Sequence, residues 1–405
     1  MKKNLIKIFT FILIVFMLVG CGTTNKKEEE TKEKKEEVDP IKEKVDSVMK
    51  DMTLDEKIGQ MIIIYYYSDS MDDTLKISLD TVHPGGFILF KQNITTYDKT
   101  LKLIKDIKER SKIPMFISVD QEGGNVQRLL SLSDKTVSNI PYMYNVGNMN
   151  DTELAKDLGK VIAEELRVFG INMDFAPVLD VFSNSDNTVI GKRSFGTSSE
   201  VVSSMGLALG TGLKENGIIP VYKHFPGHGN TAVDSHVSLP IVDKTKEELY
   251  DLDLKPFQEA IKSGVDVIMI GHLAVPSITG DNTPASLSKK LVTDLLKDEL
   301  GYNGLVVTDA LNMKALTNYY EQNEIYVKAI EAGVDLLLMP SSSRECAKAI
   351  KQAVEEGRLS EEQIDESVRK ILTLKYKEIV DDYDEYLPDT YLNSSSHQEI
   401  ISKIK

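Results

Sequence analysis

Cysteine is almost absent from this 405-residue chain: Cys21 and Cys346 are its only two, which excludes a disulfide framework. Net positive charge is absent as well. At a formal charge of −15 the chain is a poor partner for nucleic acid or an anionic membrane surface, both of which would repel it. Its most apolar stretch, within MKKNLIKIFTFILIVFMLVG at residues 1–20, is short for a transmembrane span and carries Lys2, Lys3 and Lys7, so it reads as a secretory signal. Residues 22–38, GTTNKKEEETKEKKEEV, have too little apolar surface to offset the entropy of ordering and read as a solvated spacer.

What is present begins at the end of that signal. Leu18-Val19-Gly20-Cys21 resembles the lipobox of bacterial lipoproteins, which implies cleavage before Cys21 and a lipid on that cysteine. The chain would then be membrane-anchored on the extracytoplasmic face. The expected division is a signal at 1–20, the lipidated cysteine and charged linker at 21–40, one catalytic domain at 41–378 and a C-terminal tail at 379–405. Cys346 lies in the helix-like SRECAKAI and is expected to be a partly buried bystander.

Between spacer and tail, eight short apolar runs bounded by turn residues alternate with amphipathic stretches. The runs are QMIIIYYY (60–67), GGFILF (85–90), MFISVD (115–120), MDFAPVLDV (173–181), IIPVYKHF (218–225), VDVIMIGH (265–272), GLVVTDAL (304–311) and VDLLLMP (334–340). Several are apolar on both faces, as strands covered on both sides must be. A Thr53/Glu56 capping-box pattern opens the helix before the first run. Eight βα units in this order predict a (β/α)8 barrel of the TIM type, in which functional groups sit at the C-terminal ends of strands. Asp120, Asp180, Lys223 with His224, His272 and Asp309 all stand at such ends.

The stretch KHFPGHGNTAVDSH (223–236) concentrates the titratable groups. In an extended segment residues two apart point the same way, so Asp234 can orient the imidazole of His236 and stabilise its protonated form. Asp309, across the rim, reads as a carboxylate nucleophile, a metal ligand or a structural cap. A histidine acid facing a strand-anchored carboxylate suits glycoside cleavage with retention, and Asp120, Arg193, Lys223 and His224 supply hydrogen-bonding groups for a sugar. His224 and His228 are four apart, but Phe225-Pro226-Gly227 breaks any helix between them, so no metal site is expected. His228 is expected only to hold its loop, and His83 and His397 to lie at the surface. The segment after the eighth run, PSSSRECAKA, lacks the glycine-rich turn of a phosphate-gripping barrel.

Five separated motifs carry a family resemblance: DQEGG with VQRL (120–129), FAPVLDV (175–181), IGKRSFG (190–196), KHFPGHG with DSH (223–236) and GLVVTDALNM (304–313). In this order they resemble glycoside hydrolase family 3, in its β-N-acetylglucosaminidase branch. The resemblance implies Asp309 as nucleophile and His236 as acid/base assisted by Asp234. It implies that Asp120, Arg193, Lys223 and His224 grip the terminal sugar, with Arg128 and Asp180 near them. The implied substrate is a glycan or muropeptide ending in β-linked N-acetylglucosamine (GlcNAc), cleaved without a cofactor. A histidine that is neutral after giving up its proton repels an anion less than a carboxylate does, so phosphate is expected to compete with water. The chain departs from the family at Asn125, commonly arginine, at Asn230, usually acidic, and in IGHL around His272. Its last residues, SSSHQEIISKIK, resemble the opening of a second α/β domain found in some relatives. Alternatives are a β-glucosidase or β-xylosidase of the same family, or a non-catalytic sugar-capturing lipoprotein. The oligomeric state is not legible.

Overall fold

The computed structural model describes residues 39–231, 237–379 and 386–405. The signal, Cys21 and spacer, and the Asp234/His236 pair, lie outside the described residues. Each of the eight expected runs contains a strand. These are β1 (Ile62–Ile64), β2 (Gly86–Leu89), β3 (Phe116–Val119), β6 (Met173–Asp174), β7 (Ile219–Phe225), β8 (Val267–Ile270), β9 (Leu305–Thr308) and β10 (Leu337–Leu338). They pair in parallel in the order β10-β1-β2-β3-β6-β7-β8-β9. A parallel bridge between Val307 and Leu336 joins the two ends and closes a (β/α)8 barrel.

The strands are short and buried throughout because helices cover one face and barrel-filling side chains the other. Ile62, Ile63, Phe87, Phe116, Ile117, Val267, Val306 and Leu337 are all fully buried. The covering helices begin at side-chain caps, of which the Thr53/Glu56 box is the one expected from sequence. Thr53 and Glu56 form a reciprocal capping box, Thr96 caps Tyr97–Glu109, Asp151 caps Thr152–Arg167 and Ser198 caps Ser199–Glu215. The last two cross with their backbones nearly touching: a Cβ on Gly212 would stand 2.0 Å from the Lys156 carbonyl oxygen. Two helical segments, Leu249–Asp253 and Lys290–Glu299, are wound more widely, as π-helix. Cys346 is fully buried in the helix Ser343–Glu355.

Two features were not expected. A small antiparallel hairpin, β4 (Gln121–Gly123) and β5 (Val126–Gln127), follows β3 on the rim. Its turn needs glycine: Gly123 and Gly124 have φ of 105° and 56°, and a Cβ on Gly124 would enter the Tyr142 ring at 2.2 Å. The second is at the C-terminus, where the helix Ser395–Ser402 packs on Thr152–Arg167 and buries His397. The surface placement expected for His397 is therefore wrong; His83, at the end of the helix Asp73–Val82, is exposed. Among the described residues no helix is long and apolar enough to cross a membrane.

Candidate active site

The C-terminal ends of β3, β6 and β7 carry a cluster of opposite charges. Asp120, directly after β3, accepts from Lys223 Nζ at 3.0 Å and from Arg128 Nη2 at 3.1 Å. Next to it, Glu122 in β4 accepts from both Nε and Nη2 of Arg193 at 2.7 Å and pairs with Lys223 Nζ at 2.6 Å. Burial pushes both carboxyls up, but Lys223 with Arg128 at Asp120, and Arg193 with Lys223 at Glu122, outweigh it and hold both well below the usual carboxylate range. Burial would likewise lower the Lys223 ammonium, and Glu122 and Asp120 keep it raised. The cluster is thus fully ionised near neutral pH.

The hairpin holds this cluster by hydrogen bonds that leave little slack. The Gln121 N–H donates to Asp174 Oδ1 at 2.9 Å, and Gln121 Oε1 accepts from the N–H groups of Arg128 and Leu129. Gln127 is tied to Ile140 in both directions. Asp174 itself is fully buried in β6, and burial pushes its carboxyl up to about 8, aided by the charges of Asp120 and Glu122, so it is largely protonated at neutral pH.

Asp180 is fully buried against His224. Its Oδ2 lies 2.7 Å from His224 Nδ1, and its Oδ1 accepts the His228 N–H at 2.6 Å and the His224 N–H at 3.3 Å. A carboxylate placed this way fixes the ring and tautomer of His224 and the start of the loop after β7. Burial pushes Asp180 up, and His224 and His228 pull it below its usual value. His228 closes the loop on itself through Thr231 Oγ1 at 2.7 Å, and burial lowers its pKa.

Asp309 follows β9 and is partly buried. Its N–H donates to the Ile270 carbonyl and its Oδ1 accepts the Ala310 N–H at 2.7 Å. Burial pushes the carboxyl up, while His272, His224, the Ala310 N–H and Lys223 more than offset it, so the group is an anion at neutral pH. His272 is fully buried beneath this turn, with Nε2 donating to the Ala310 carbonyl at 3.0 Å and Nδ1 meeting Ser286 Oγ at 2.8 Å. Its pKa is lowered by burial, and its two hydrogen bonds make it a strut under Asp309.

The structure therefore brings Asp120, Arg128, Arg193, Lys223, His224 and Asp309 to one rim, with Asp180 buried against His224. Sequence reasoning missed Glu122, although it lies inside the quoted DQEGG; its partner Arg193 is 71 residues away and no local pattern couples them. Among the described residues no group of three or more His, Cys, Asp or Glu side chains is arranged to hold a metal ion. Two of the three family departures sit at the margin: Asn125 accepts the Tyr142 hydroxyl at the exposed hairpin tip, and the Asn230 carbonyl accepts from Asn184. A cleft at the opposite barrel pole, lined by Lys44, Glu56, His83, Arg110 and Tyr376, gathers no comparable set; Arg110 there is spent on Asp80.

Comparison with known proteins follows the same residues. Residues 53–374 match the glycosyl hydrolase family 3 N-terminal domain. Beta-hexosaminidase A of Pseudoalteromonas piscicida is 32% identical over 399 residues, spanning 87% of this chain and 66% of its own length. A solved family 3 beta-N-acetylglucosaminidase from Paenibacillus sp. str. FPU-7 superimposes with a TM-score of 0.81 at 36% identity, over 87% of this chain and 68% of that one. The beta-glucoside phosphorylase BglX superimposes with a TM-score of 0.83 at 25% identity, over 91% of this chain and 67% of that one.

Proposed function

This chain belongs to glycoside hydrolase family 3, and on that premise we propose that it is a retaining exo-β-N-acetylglucosaminidase that releases terminal β-linked GlcNAc. The observation that carries the reading is Asp309: an ionised carboxylate, set on a turn strutted by His272, shares a rim with five groups able to bind sugar hydroxyls. Ala310 N–H holds Oδ1, so Oδ2 makes the attack on the anomeric carbon. As the C1–O bond breaks, His236, oriented by Asp234, gives its proton to the leaving oxygen. A glycosyl ester on Asp309 results. Water then attacks C1, returns its proton to His236 and frees the carboxylate. Asp120, Lys223, Arg193, Arg128 and His224 hold the sugar while this happens, and no cofactor takes part.

In this reading the natural substrate is a peptidoglycan fragment in which GlcNAc is the non-reducing end. The chain works outside the cytoplasmic membrane, tethered through lipid on Cys21, with residues 22–38 as its spacer. The curated beta-hexosaminidase and the solved beta-N-acetylglucosaminidase named above support the choice of sugar. The test is an assay of the protein on chromogenic N-acetyl-β-glucosaminide and β-glucoside, beside Asp309→Asn. Turnover of the first, lost in the variant, supports the proposal; turnover of the glucoside alone, or unchanged activity in Asp309→Asn, overturns it.

A further inference from the structure

The sugar-binding side of the pocket holds more charge than an uncharged ligand calls for. Arg128, Arg193 and Lys223 bring three cations to it, and the carboxylates that pair with them directly are Asp120 and Glu122. Glu122 has a special place in that balance. Its two oxygens are taken by the Arg193 fork and the Lys223 ammonium, so it supports those cations. A bidentate carboxylate on an arginine fork, with a lysine beside it, is the geometry in which such residues bind an anionic ligand. Here the protein has filled that seat from within.

We propose that Glu122 is a specificity-determining positioning residue: by occupying Arg193 and Lys223 it makes the pocket admit an uncharged terminal sugar and disfavour one carrying a carboxylate or phosphate. The proposal rests on the reading above that a terminal sugar occupies this pocket. With Glu122 neutralised the cations face the pocket with one more unpaired charge, and an anionic sugar gains what the neutral sugar loses. Arg128 offers the opposite change. It is partly exposed and its cluster contact is the single bond to Asp120, so its removal takes one cation away with little disturbance of the fold.

The test measures dissociation constants of GlcNAc and of GlcNAc 6-phosphate for the full chain, Glu122→Gln and Arg128→Gln at low ionic strength. Expected is a fall of about tenfold in the ratio of the phosphate to the neutral constant for Glu122→Gln, and a rise in Arg128→Gln, both shrinking in high salt. A purely structural role for Glu122 would weaken both ligands together and leave the ratio unchanged, which overturns the proposal. Where Glu122→Gln does not fold, Arg128→Gln decides: an unmoved ratio overturns the charge count. A wild type that binds the phosphate sugar alone sinks this proposal only, whereas one that binds neither sugar sinks the functional reading and this one with it.

Discussion

The imidazole of His397 stands 2.8 Å from a carboxylate oxygen of Glu164 and 3.3 Å from one of Glu165, on a helix more than 230 residues earlier in the chain. Glu165 also accepts the N–H groups of Ser138 and Asn393, so one buried carboxylate joins the C-terminal helix to the segment that runs on to Ile140 and the hairpin bearing Glu122. Burial alone would lower the His397 pKa, but hydrogen bonds to Glu165 and Glu164 raise it above the ordinary histidine value. A raised folded pKa gives stability that is complete below the unfolded value of about 6.5 and is lost as pH rises through the folded one. The thermal midpoint of the wild type should therefore fall with rising pH across the alkaline side of 6.5, and that of His397→Gln should fall less. Parallel curves would show that the pairing of His397 with Glu164 and Glu165 adds no pH-dependent stability.

Asp309→Asn should keep the fold and abolish turnover. The amide preserves the acceptor for Ala310 N–H but cannot form the glycosyl ester, so kcat should drop by at least ~10³-fold with a thermal midpoint close to wild type. Circular dichroism beside a chromogenic assay checks both halves, and residual turnover within tenfold of wild type would remove Asp309 from the nucleophile's role.

His272 should separate positioning from binding. Replacing it with phenylalanine leaves the Ala310 carbonyl and the Ser286 hydroxyl without their partner in a fully buried site, at a cost of about 1–3 kcal/mol in stability. Because the strut supports the turn of Asp309 and not the sugar-gripping cluster, kcat should fall while KM changes little. A rise in KM with kcat intact would place His272 with the binding groups.

The barrel was legible because its strands are buried on both faces: an apolar run such as Ile62–Ile64 or the Leu305, Val306 and Val307 of β9 cannot be an exposed edge or a half-exposed helix. The rim was legible because polar groups at the ends of such runs stand out against them. The hairpin after β3 was not, since Gln121–Gly123 and Val126–Gln127 are too short and too polar to show alternation. Glu122 went unread because its partner Arg193 lies 71 residues away, where no local pattern couples them. Asp180 was identified, but a sequence does not show depth, and only the structure places it against His224. His397 was misread because its partners come from a helix whose glutamates look like solvent-facing charge.

Asp180→Asn should act through His224. An amide in this position offers a donor to a site that now accepts two backbone N–H groups and a ring nitrogen, so the His224 tautomer and the loop after β7 lose their reference. A fall in kcat/KM on the order of 10²-fold is expected, accompanied by a changed pH profile, which a simple loss of packing would not produce. Activity and profile both unchanged would show that His224 needs no such anchor.

Phosphate should divert the second half of the reaction. The acceptor that meets the glycosyl ester on Asp309 must pass the deprotonated acid/base, and if that group is His236 it is neutral at that stage, where a carboxylate would be negative and repel an anion. In phosphate buffer the product should include GlcNAc 1-phosphate with retained configuration, at the expense of free GlcNAc, and the fraction should grow with phosphate concentration. Chromatography of the products in phosphate and in an uncharged buffer decides it: identical product in both means that water alone is accepted, and the neutral-histidine argument fails.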